Sequence, residues 1–304
     1  MAIPTLFIVA VTVFALIRLI PGDPAQLLLG DLADPAALED LRRSMGLDRS
    51  WITQFGLWAG DLLQGDLGRS ISTGQSVLGL VWSRFLVSGQ VVIAAVLFAS
   101  LVAIPAGVIA AWRQNGLTDL VLVGAATLLV SIPTFWLGLM LLLFFGVELK
   151  WLPVIGYVPI SQDAKAGLIY LVMPILTLFL HEIGVLMRMA RASALEVLRL
   201  DYVTHARAKG LSERAVLMHH VFKNSFGPTW TLIGLVLGNL LGGIAVVETV
   251  FTIPGLGRLL VDSIFARDYP VIQGCLLFVA VIYVLVNLVV DLLYPIFDPR
   301  VAAE

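Results

Sequence analysis

The chain has 304 residues, a formal net charge of −2, a hydrophobic content of 59% and a mean hydropathy of +0.97. Only 13% of the residues are charged, too few to solvate the surface of a soluble domain of this length. The nearly neutral charge gives no basis for nucleic-acid binding, and the single cysteine, Cys275, excludes an intrachain disulfide and a CxxC metal or redox site. The composition therefore predicts one all-α integral membrane domain over residues 1–304.

Apolar runs long enough to cross about 30 Å of hydrocarbon as helices recur along the whole chain. They cover 2–20, 88–112, 120–147, 169–190, 228–247 and 271–294, and they predict about six membrane spans. No basic residue precedes the first run and no small-x-small cleavage site follows it, so we interpret it as a retained helix rather than a signal peptide. Its missing basic flank leaves a longer natural N-terminus open.

The long segment 21–87, between the first two spans, is predicted to carry two short helices. Asp34 caps the first, which ends at Gly46. The second covers 50–63, and three aromatic residues share one of its faces: Trp51, Phe55 and Trp58. Aromatic residues at helical spacing favour a position at the membrane interface over a ligand cage.

Basic residues cluster in one loop, and their distribution predicts the orientation. The stretch 188–226 contains Arg188, Arg191, Arg199, Arg207, Lys209, Arg214 and Lys223, whereas the stretch 248–270 has only Arg258 and Arg267. Because positively charged loops stay inside, loop 191–226 is predicted to be cytoplasmic. Both termini then lie in the cytoplasm, and the segments 21–87, 148–168 and 248–270 lie outside.

Within this loop the sequence predicts a short helix with a stop at each end. Asp201 caps it, Tyr202 to Lys209 are helix formers with basic residues in the last turn, and Gly210 ends it in the left-handed conformation. Ser212 then begins another helix. One interpretation is a basic loop that sets the topology and binds anionic lipid head groups. The other is a docking element that transmits motion from a soluble partner, which the defined stops favour.

Ionisable groups at bilayer depth are costly and are candidates for a translocation path. His181 and Glu182, about halfway along the fourth predicted span, are the main candidates, and Asn239 in the fifth span is a further one. A carboxylate there complements the terminal amine of a peptide; the alternative is that both side chains are held by hydrogen bonds to neighbouring helices. Neither a catalytic dyad nor a metal site is predicted, because the remaining histidines, His205, His219 and His220, lie in the cytoplasmic loop.

Glycines recur in the fifth span at positions 234, 238, 242 and 243. Small residues at helical spacing allow two membrane helices to approach closely. The pattern predicts a close helix–helix contact along this span, as in any tightly packed membrane protein.

Several segments together carry a resemblance to a known family. Asp201-Tyr202-Val203-x-x-Ala206-Arg207-Ala208-Lys209-Gly210-Leu211-Ser212 resembles the peptide-branch form of the EAA loop in permease subunits of binding-protein-dependent ABC importers. Supporting segments are Leu19-Ile20-Pro21-Gly22-Asp23-Pro24, Gly65-Asp66-Leu67-Gly68-Arg69-Ser70, Ser131-Ile132-Pro133-Thr134-Phe135-Trp136 and Glu248-Thr249-Val250-Phe251-Thr252-Ile253-Pro254-Gly255-Leu256-Gly257. The chain is similar to the first permease subunit of the dipeptide, oligopeptide and nickel importers.

The resemblance implies a type I ABC importer transmembrane domain in a bacterial inner membrane. Its partners would be a second permease subunit, two ATPase subunits, an extracytoplasmic solute-binding protein and the lipid bilayer. The matched loop residues would contact the ATPase: Asp201, Tyr202, Ala206, Arg207, Ala208, Lys209 and Gly210. The family pattern has Glu-Ala-Ala where this chain has Thr204-His205-Ala206, and its downstream proline is displaced to Pro228.

The sequence contains no GxxxxGK[ST] phosphate loop, so ATP hydrolysis is assigned to a partner, and this chain is expected to be a non-catalytic subunit without a cofactor. An ion-gradient-driven secondary transporter or channel is the alternative function, although the sequence has neither the repeated halves nor the cluster of midplane polar groups typical of such carriers. A membrane scaffold would equally suit a capped cytoplasmic helix. Among importer substrates, a dipeptide, an oligopeptide and a nickel complex all stay open.

Overall fold

The computed structural model describes residues 2–19, 34–44 and 48–297, which form a bundle of α-helices. The helices are α1 (Ala2–Leu19), α2 (Pro35–Ser44), α3 (Trp51–Leu63), α4 (Val77–Trp112), α5 (Leu117–Ser131), α6 (Thr134–Leu141), α7 (Ala164–Leu198), α8 (Asp201–Ala208), α9 (Glu213–Ala215), α10 (Lys223–Gly243), α11 (Ala245–Val250), α12 (Leu256–Phe265) and α13 (Tyr269–Phe297). Two π-helical segments, Leu142–Glu148 and Val216–Phe222, continue α6 and connect α9 to α10.

Helices occupy all six positions at which the sequence predicts a membrane span. Among the described residues, α4, α7 and α13 are long and apolar enough to cross a membrane. The pair formed by α5 and by α6 with its π-helical continuation makes a fourth if it is counted as one span. The apolar part of α1, Ile3–Ala15, is shorter, and α10 dilutes its apolar residues with glycines and polar side chains.

The fourth candidate span is broken in the middle, where α5 and α6 are bent by 96° relative to each other. The break falls at Pro133, which begins the next helix, and the preceding Ile132 is extended with φ −84° and ψ 124°. A residue before proline is pushed out of the helical region because the proline ring crowds it. The resemblance segment 131–136 is therefore a bend between two helices.

Several helices extend beyond the predicted spans, and the two largest extensions are those of α4 and α7. Helix α4 begins at Val77, so the end of the predicted outer segment 21–87 belongs to the helix, and α7 continues to Leu198, inside the predicted loop 191–226. Neither extension contains a proline, so the backbone continues helically beyond the purely apolar run. Apolar length marked the membrane-crossing part and not the ends of the helices.

The two short helices before α4 form as predicted. The amide of Ala36 donates to the Asp34 carboxylate at 3.3 Å at the start of α2, whereas Gly46 and the segment 20–33 lie outside the described residues. On α3, Phe55 and Trp58 pack against Phe14 of α1, with ring centroids 5.2 and 5.4 Å from it. Trp51 is 58% exposed. Two of the three aromatic residues thus form a contact between helices.

The segment before α4 is fastened to the start of α13 by the buried carboxylate of Asp268. This carboxylate accepts hydrogen bonds from the hydroxyls of Ser70 (2.5 Å) and Ser72 (2.7 Å) and from the amides of Ile71 and Ser72. Burial acts to raise the pKa of Asp268, but the hydrogen bonds outweigh it and hold the pKa below its ordinary value. Residues 70–72 of the predicted outer segment 21–87 therefore meet the segment 248–270 at one end of the bundle.

The segment 148–168 joins the same end, because the amide of Gly156 donates to the Thr252 hydroxyl at 3.2 Å. The loop between α7 and α10 lies at the other end, where the Trp112 indole at the end of α4 donates to Glu213 at 3.3 Å. The three segments predicted to lie outside thus share one end of the bundle, opposite the basic loop.

Helices α10 and α13 are in close contact along the predicted glycine stripe. A Cβ atom added at Gly234 would lie 2.3 Å from Cγ2 of Val290, and one at Gly238 would lie 2.7 Å from Cδ2 of Tyr283. Gly242 faces Val279 in the same way. The predicted close approach is confirmed at these three positions, but Gly243 has open space around it.

We expect Gly234→Ala to destabilise the protein by about 1–3 kcal/mol, because the new methyl group overlaps the β-branched side chain of Val290. Gly243→Ala is the matched control, with no atom within 4 Å of the added carbon. The melting temperature of the purified protein in detergent measures both. Equal melting temperatures for the two variants would contradict the packing described here.

Candidate functional site

Helix α8 follows α7 in the chain, and its N-cap differs by one position from the prediction. Leu200, with φ −78° and ψ 143°, holds the N-cap position, and Asp201 is the first helical residue. The prediction that Asp201 is the cap is wrong, because α7 ends at Leu198 and the chain is already extended at Leu200. The Asp201 carboxylate still lies in the first turn, where the helix dipole favours negative charge.

The end of α8 is as predicted. Gly210 has φ +80°, its amide donates to the carbonyl of Arg207 at 2.9 Å, and the amide of Leu211 donates to the carbonyl of Ala206 at 3.3 Å. This pair of bonds is the Schellman motif, which needs a left-handed residue at the glycine position. Ser212 caps α9 by accepting from the amide of Ala215 at 3.4 Å. The helix is therefore bounded by structure and not only by composition.

One face of α8 is buried against the ends of two spanning helices. Val203 and Ala206 belong to an apolar cluster with Val108 and Ala111 of α4 and Ala194 and Val197 of α7. The opposite face is exposed and carries Asp201, Thr204, His205, Arg207, Ala208 and Lys209. The helix thus has an exposed face of polar and basic groups, while its apolar side packs on α4 and α7.

Arg207 also ties the end of α8 to the structure around it. Its Nε lies 2.9 Å from Oε1 of Glu213, and the Glu213 carboxylate accepts from the Trp112 indole at 3.3 Å. Both charged side chains are more than a third exposed, so the pair contributes little to stability, about 0–1 kcal/mol. Its effect is to orient α8 relative to the end of α4.

A second ion pair beside α8 is largely buried and was not found from the sequence. Arg191 of α7 contacts Asp119 of α5 through two hydrogen bonds, Nε to Oδ1 at 2.7 Å and Nη2 to Oδ2 at 2.8 Å. Asp119 also accepts from the amide of Asn115 at 3.0 Å. The only local signal was a carboxylate in the first turn of an apolar helix, and its partner is 72 residues away.

Of the polar residues predicted for a transport path, His181 and Glu182 are consecutive residues of α7, and Asn239 belongs to a different helix. Glu182 is buried at 5% exposure, and no hydrogen bond or ion pair joins it to any residue within the described ranges. The Nδ1 atom of His181 is likewise buried without a hydrogen-bond partner there. The alternative in which both are held by hydrogen bonds to neighbouring helices is therefore not observed. Asn239 lies exposed on α10.

An apolar cavity of about 450 Å³ lies between α4 and α10. Its lining includes Pro105, Phe226, Trp230 and Ser100, whose hydroxyl is buried and without a hydrogen-bond partner among the described residues. The sequence offered only a weak signal for Ser100, a single small polar residue within an apolar run. The cavity follows the middle of α4, from Ile93 to Pro105, and α10 as far as Leu237.

Several apolar helices long enough to span a membrane define the class: a polytopic membrane protein. The family described as "Binding-protein-dependent transport system inner membrane component" matches residues 103–303, and the family described as its "membrane comp, N-term" matches residues 1–92. The chain belongs to the binding-protein-dependent ABC importer permeases.

Curated relatives agree along the whole chain. A putative peptide transport system permease protein of Brucella suis is 42% identical over 300 residues, which cover 99% of this chain and 96% of the relative. The dipeptide transport system permease protein DppB of Alkalihalophilus pseudofirmus is 39% identical, covering 98% and 96%. The glutathione transport system permease protein GsiC of Escherichia coli O6:H1 is 42% identical, covering 98% and 95%.

A solved structure, described as inward-facing conformations of the MetNI methionine ABC transporter, has the same fold. Its TM-score is 0.59 at 16% identity, and the match covers 73% of this chain and 97% of that one. The predicted fold class, an ABC importer transmembrane domain, is confirmed, and the alternative of a secondary transporter or channel is not supported. As a membrane permease of this family, the chain works with an ATPase and a solute-binding protein.

We expect Asp119→Ala to destabilise the protein by about 3–5 kcal/mol, because Arg191 loses its partner in a largely buried position. Arg207→Ala, which breaks the exposed pair, serves as the control and should cost about 0–1 kcal/mol. Adding Arg191→Leu to Asp119→Ala should recover part of the loss, since no unpaired charge remains. Thermal unfolding of the purified variants is the measurement, and equal losses for Asp119→Ala and Arg207→Ala would contradict this account.

Proposed function

We propose that residues 1–304 act as a single permease domain that forms part of the translocation path of a peptide importer, and that α8 couples this path to an ATPase. The observation that carries the proposal is the two-sided character of α8. Its buried face rests on α4 and α7, and its exposed face is polar and basic. A force applied to the exposed face is passed directly to two spanning helices.

The coupling contact comprises the residues of the matched loop, each in a distinct position. Asp201, Arg207, Ala208 and Lys209 supply the exposed surface, Tyr202 is half-buried at the edge, Ala206 is part of the buried anchor, and Gly210 ends the helix. Thr204 and His205, where the family pattern differs, are also exposed and so belong to the surface that meets the ATPase. Electrostatic attraction to an acidic cleft would orient such a surface.

The partners proposed are a second permease subunit, two ATPase subunits, and a solute-binding protein that meets the opposite end of the bundle. An exposed stripe on α10 supports the proposal of a second permease subunit. The stripe consists of Thr231, Leu235 and Asn239, at helical positions i, i+4 and i+8. This stripe would line the path where two permease subunits face each other. Both termini are placed in the cytoplasm on the α8 side, in agreement with the positive-inside rule.

Hydrolysis of ATP is assigned to the partner ATPases, and this chain is proposed to be non-catalytic and to bind no cofactor of its own. Closure of the ATPases would displace α8, and the shared apolar cluster would carry that displacement into α4 and α7. Because packed helices shift as units, the cavity between α4 and α10 would change shape with them.

Peptides are the proposed substrate class. The relatives are described as permeases for peptides, dipeptides and glutathione, and each such substrate carries a free amine. Glu182 is a carboxylate at bilayer depth without a partner among the described residues, so it is the group in the membrane that gains most from meeting a cation. We assign Glu182 to the path as the amine-complementing group, with His181 and Asn239 as further polar residues along it.

Replacing Gly210 tests the coupling proposal. Gly210→Pro should leave membrane insertion intact and reduce substrate uptake per ATP hydrolysed at least tenfold, because proline is restricted to φ near −65° and the glycine has φ +80°. Gly210→Asn is the matched control, since asparagine tolerates the left-handed conformation, and it should keep most of the coupling. Uptake and ATP hydrolysis are measured together in proteoliposomes that contain all partner subunits. Coupled uptake at the normal ratio in Gly210→Pro would show that α8 is not the transmission element.

Replacing Glu182 tests the substrate proposal. The substrate is a dipeptide retained by the cognate binding protein in a ligand screen, compared with its N-acetyl form. Glu182→Gln should lower uptake of the free-amine form several-fold and leave uptake of the acetylated form nearly unchanged, because only the former presents a cation. Glu196→Gln makes the same chemical change at an exposed position of α7 and should alter neither. Equal effects on both peptides would remove Glu182 from this role.

A further inference from the structure

Glu248 of α11 is a buried carboxylate that the proposed coupling and substrate path do not use. Only 1% of its surface is exposed. One oxygen accepts from the hydroxyl of Ser88 on α4 at 2.5 Å, and the other accepts from the amide of Arg258 at 2.8 Å. The amide of Gly257 donates to the same carboxylate. A buried carboxylate is tolerated only when such donors replace water.

The amides that meet this carboxylate are the first ones of α12. A helix leaves its first amides without intrahelical partners, and a side chain at the N-cap position normally accepts from them. Here the N-cap position is Gly255, which has no side chain. The amide of Leu256 donates to the Ser88 hydroxyl at 2.8 Å, and those of Gly257 and Arg258 donate to Glu248. Helix α12 is thus capped by residues from α4 and α11.

Gly255 is required because of space and not because of its backbone conformation. It has φ −96° and ψ −179°, an extended geometry that any residue adopts and that is usual at an N-cap. A Cβ atom there would collide with the Glu248 carboxylate, at 1.9 Å from Oε1. The Glu248 carboxylate therefore replaces the side chain that would otherwise cap α12 from position 255. A side chain at position 255 and the carboxylate of Glu248 cannot occupy this space together.

This arrangement lies at the far end of the bundle from α8. Ser88 is about 36 Å from Trp112 along α4, at about 1.5 Å per residue. Two further contacts join the same region: Nη1 of Arg84 on α4 donates to the carbonyl of Pro254 at 3.4 Å, and Gly156 donates to Thr252. The turn between α11 and α12 is consequently held against α4 by hydrogen bonds centred on Glu248 and Ser88.

We propose that Glu248 is a positioning residue whose carboxylate, by capping α12 in place of residue 255, makes the α11–α12 turn move as one body with the far end of α4. The inference rests on the proposed function, since α4 is the helix that receives motion from α8. Displacement of the part of α4 that carries Ser88 then moves the segment 251–257 with it. Without the cap, the turn loses the hydrogen bonds centred on Glu248, while the apolar cluster that Leu256 shares with Val77 and Val81 of α4 remains. The position of α12 relative to α4 is then less sharply defined.

The test uses the complete importer with its partner subunits, with spin labels on α4 and α12. Leu86→Cys and Phe265→Cys supply the labelling sites, because both side chains are exposed and Cys275 is fully buried. We expect one narrow distance distribution in the unmodified complex, unchanged between the nucleotide-free and the ATP-vanadate-trapped states. Glu248→Ala should at least double its width, and Gly255→Asp alone should do the same because its side chain collides with Glu248.

The double variant Glu248→Ala/Gly255→Asp decides the matter. The new carboxylate takes the vacated space, caps α12 from its own N-cap position and lies beside Ser88, so the narrow distribution should return, together with uptake per ATP hydrolysed to within about threefold of normal. A double variant no better than the worse single variant, or single variants with unchanged distances, would overturn the proposal. If the Glu248→Ala complex does not assemble, we expect the double-variant complex to assemble. Failure of the double-variant complex to assemble as well would overturn the proposal.

A third variant separates this inference from the coupling proposal. Gly210→Pro acts at the α8 end and should leave the distance between Leu86→Cys and Phe265→Cys narrow. A normal uptake ratio in Gly210→Pro with a rescued double variant would refute the role of α8 and retain that of Glu248. A loss of coupling in Gly210→Pro with no rescue would refute the role of Glu248 alone.

Discussion

Hydrocarbon offers no hydrogen-bond partners, so each helix of this bundle must have its terminal amides and carbonyls satisfied by the chain itself or by its polar borders. The consequences are visible wherever a helix begins or ends inside the fold. At the exposed end of α8, on the polar side of the bundle, Gly210 and Ser212 supply local partners through a Schellman motif and a side-chain cap. Glu248 supplies a partner from a distance, for a helix whose own cap position is a glycine.

The same requirement explains where the buried carboxylates lie. Asp119, Glu248 and Asp268 are each almost fully buried, and each accepts at least one backbone amide from a loop or from the first turn of a helix. Each also joins segments far apart in the chain, for example Ser70 to Asp268 and Arg191 to Asp119. Buried charge in this protein therefore serves the connections between helices, and the cost of burial is offset by several donors at once.

Helix α4 is the element on which these connections converge. Its final turns receive the apolar side of α8, and Trp112 at its end contacts Glu213. Near its start, Ser88 takes part in the cap of α12. A long helix held at both ends can carry displacement from one end to the other, and Pro105, which lies between the two ends, is the point at which an intrahelical hydrogen bond is missing. The proposed path of motion through the permease, from the ATPase side to the opposite side, follows from this position.

Among the buried carboxylates of this ABC importer permease, Glu182 is the exception. Glu182 is a buried carboxylate for which no donor is found among the described residues, unlike Asp119, Glu248 and Asp268. Because the Glu182 carboxylate takes part in no hydrogen bond or ion pair between the described helices, it is the buried carboxylate that can bind a solute without breaking such a contact. The contrast between satisfied and unsatisfied carboxylates supports a path role for Glu182 better than its depth in the membrane does.

The sequence by itself determined the all-helical membrane character, the six helical positions, the end of α8 at Gly210 and the cap at Ser212, because these depend on apolar length and on chemistry within a few residues. Tertiary structure decided the rest. The N-cap of α8 is Leu200 and not Asp201, because the chain is already extended at Leu200 after the end of α7. The partner of Asp119 and the need for Gly255 were decided only by folding, since no local pattern indicates which distant donor or carboxylate will occupy the neighbouring space.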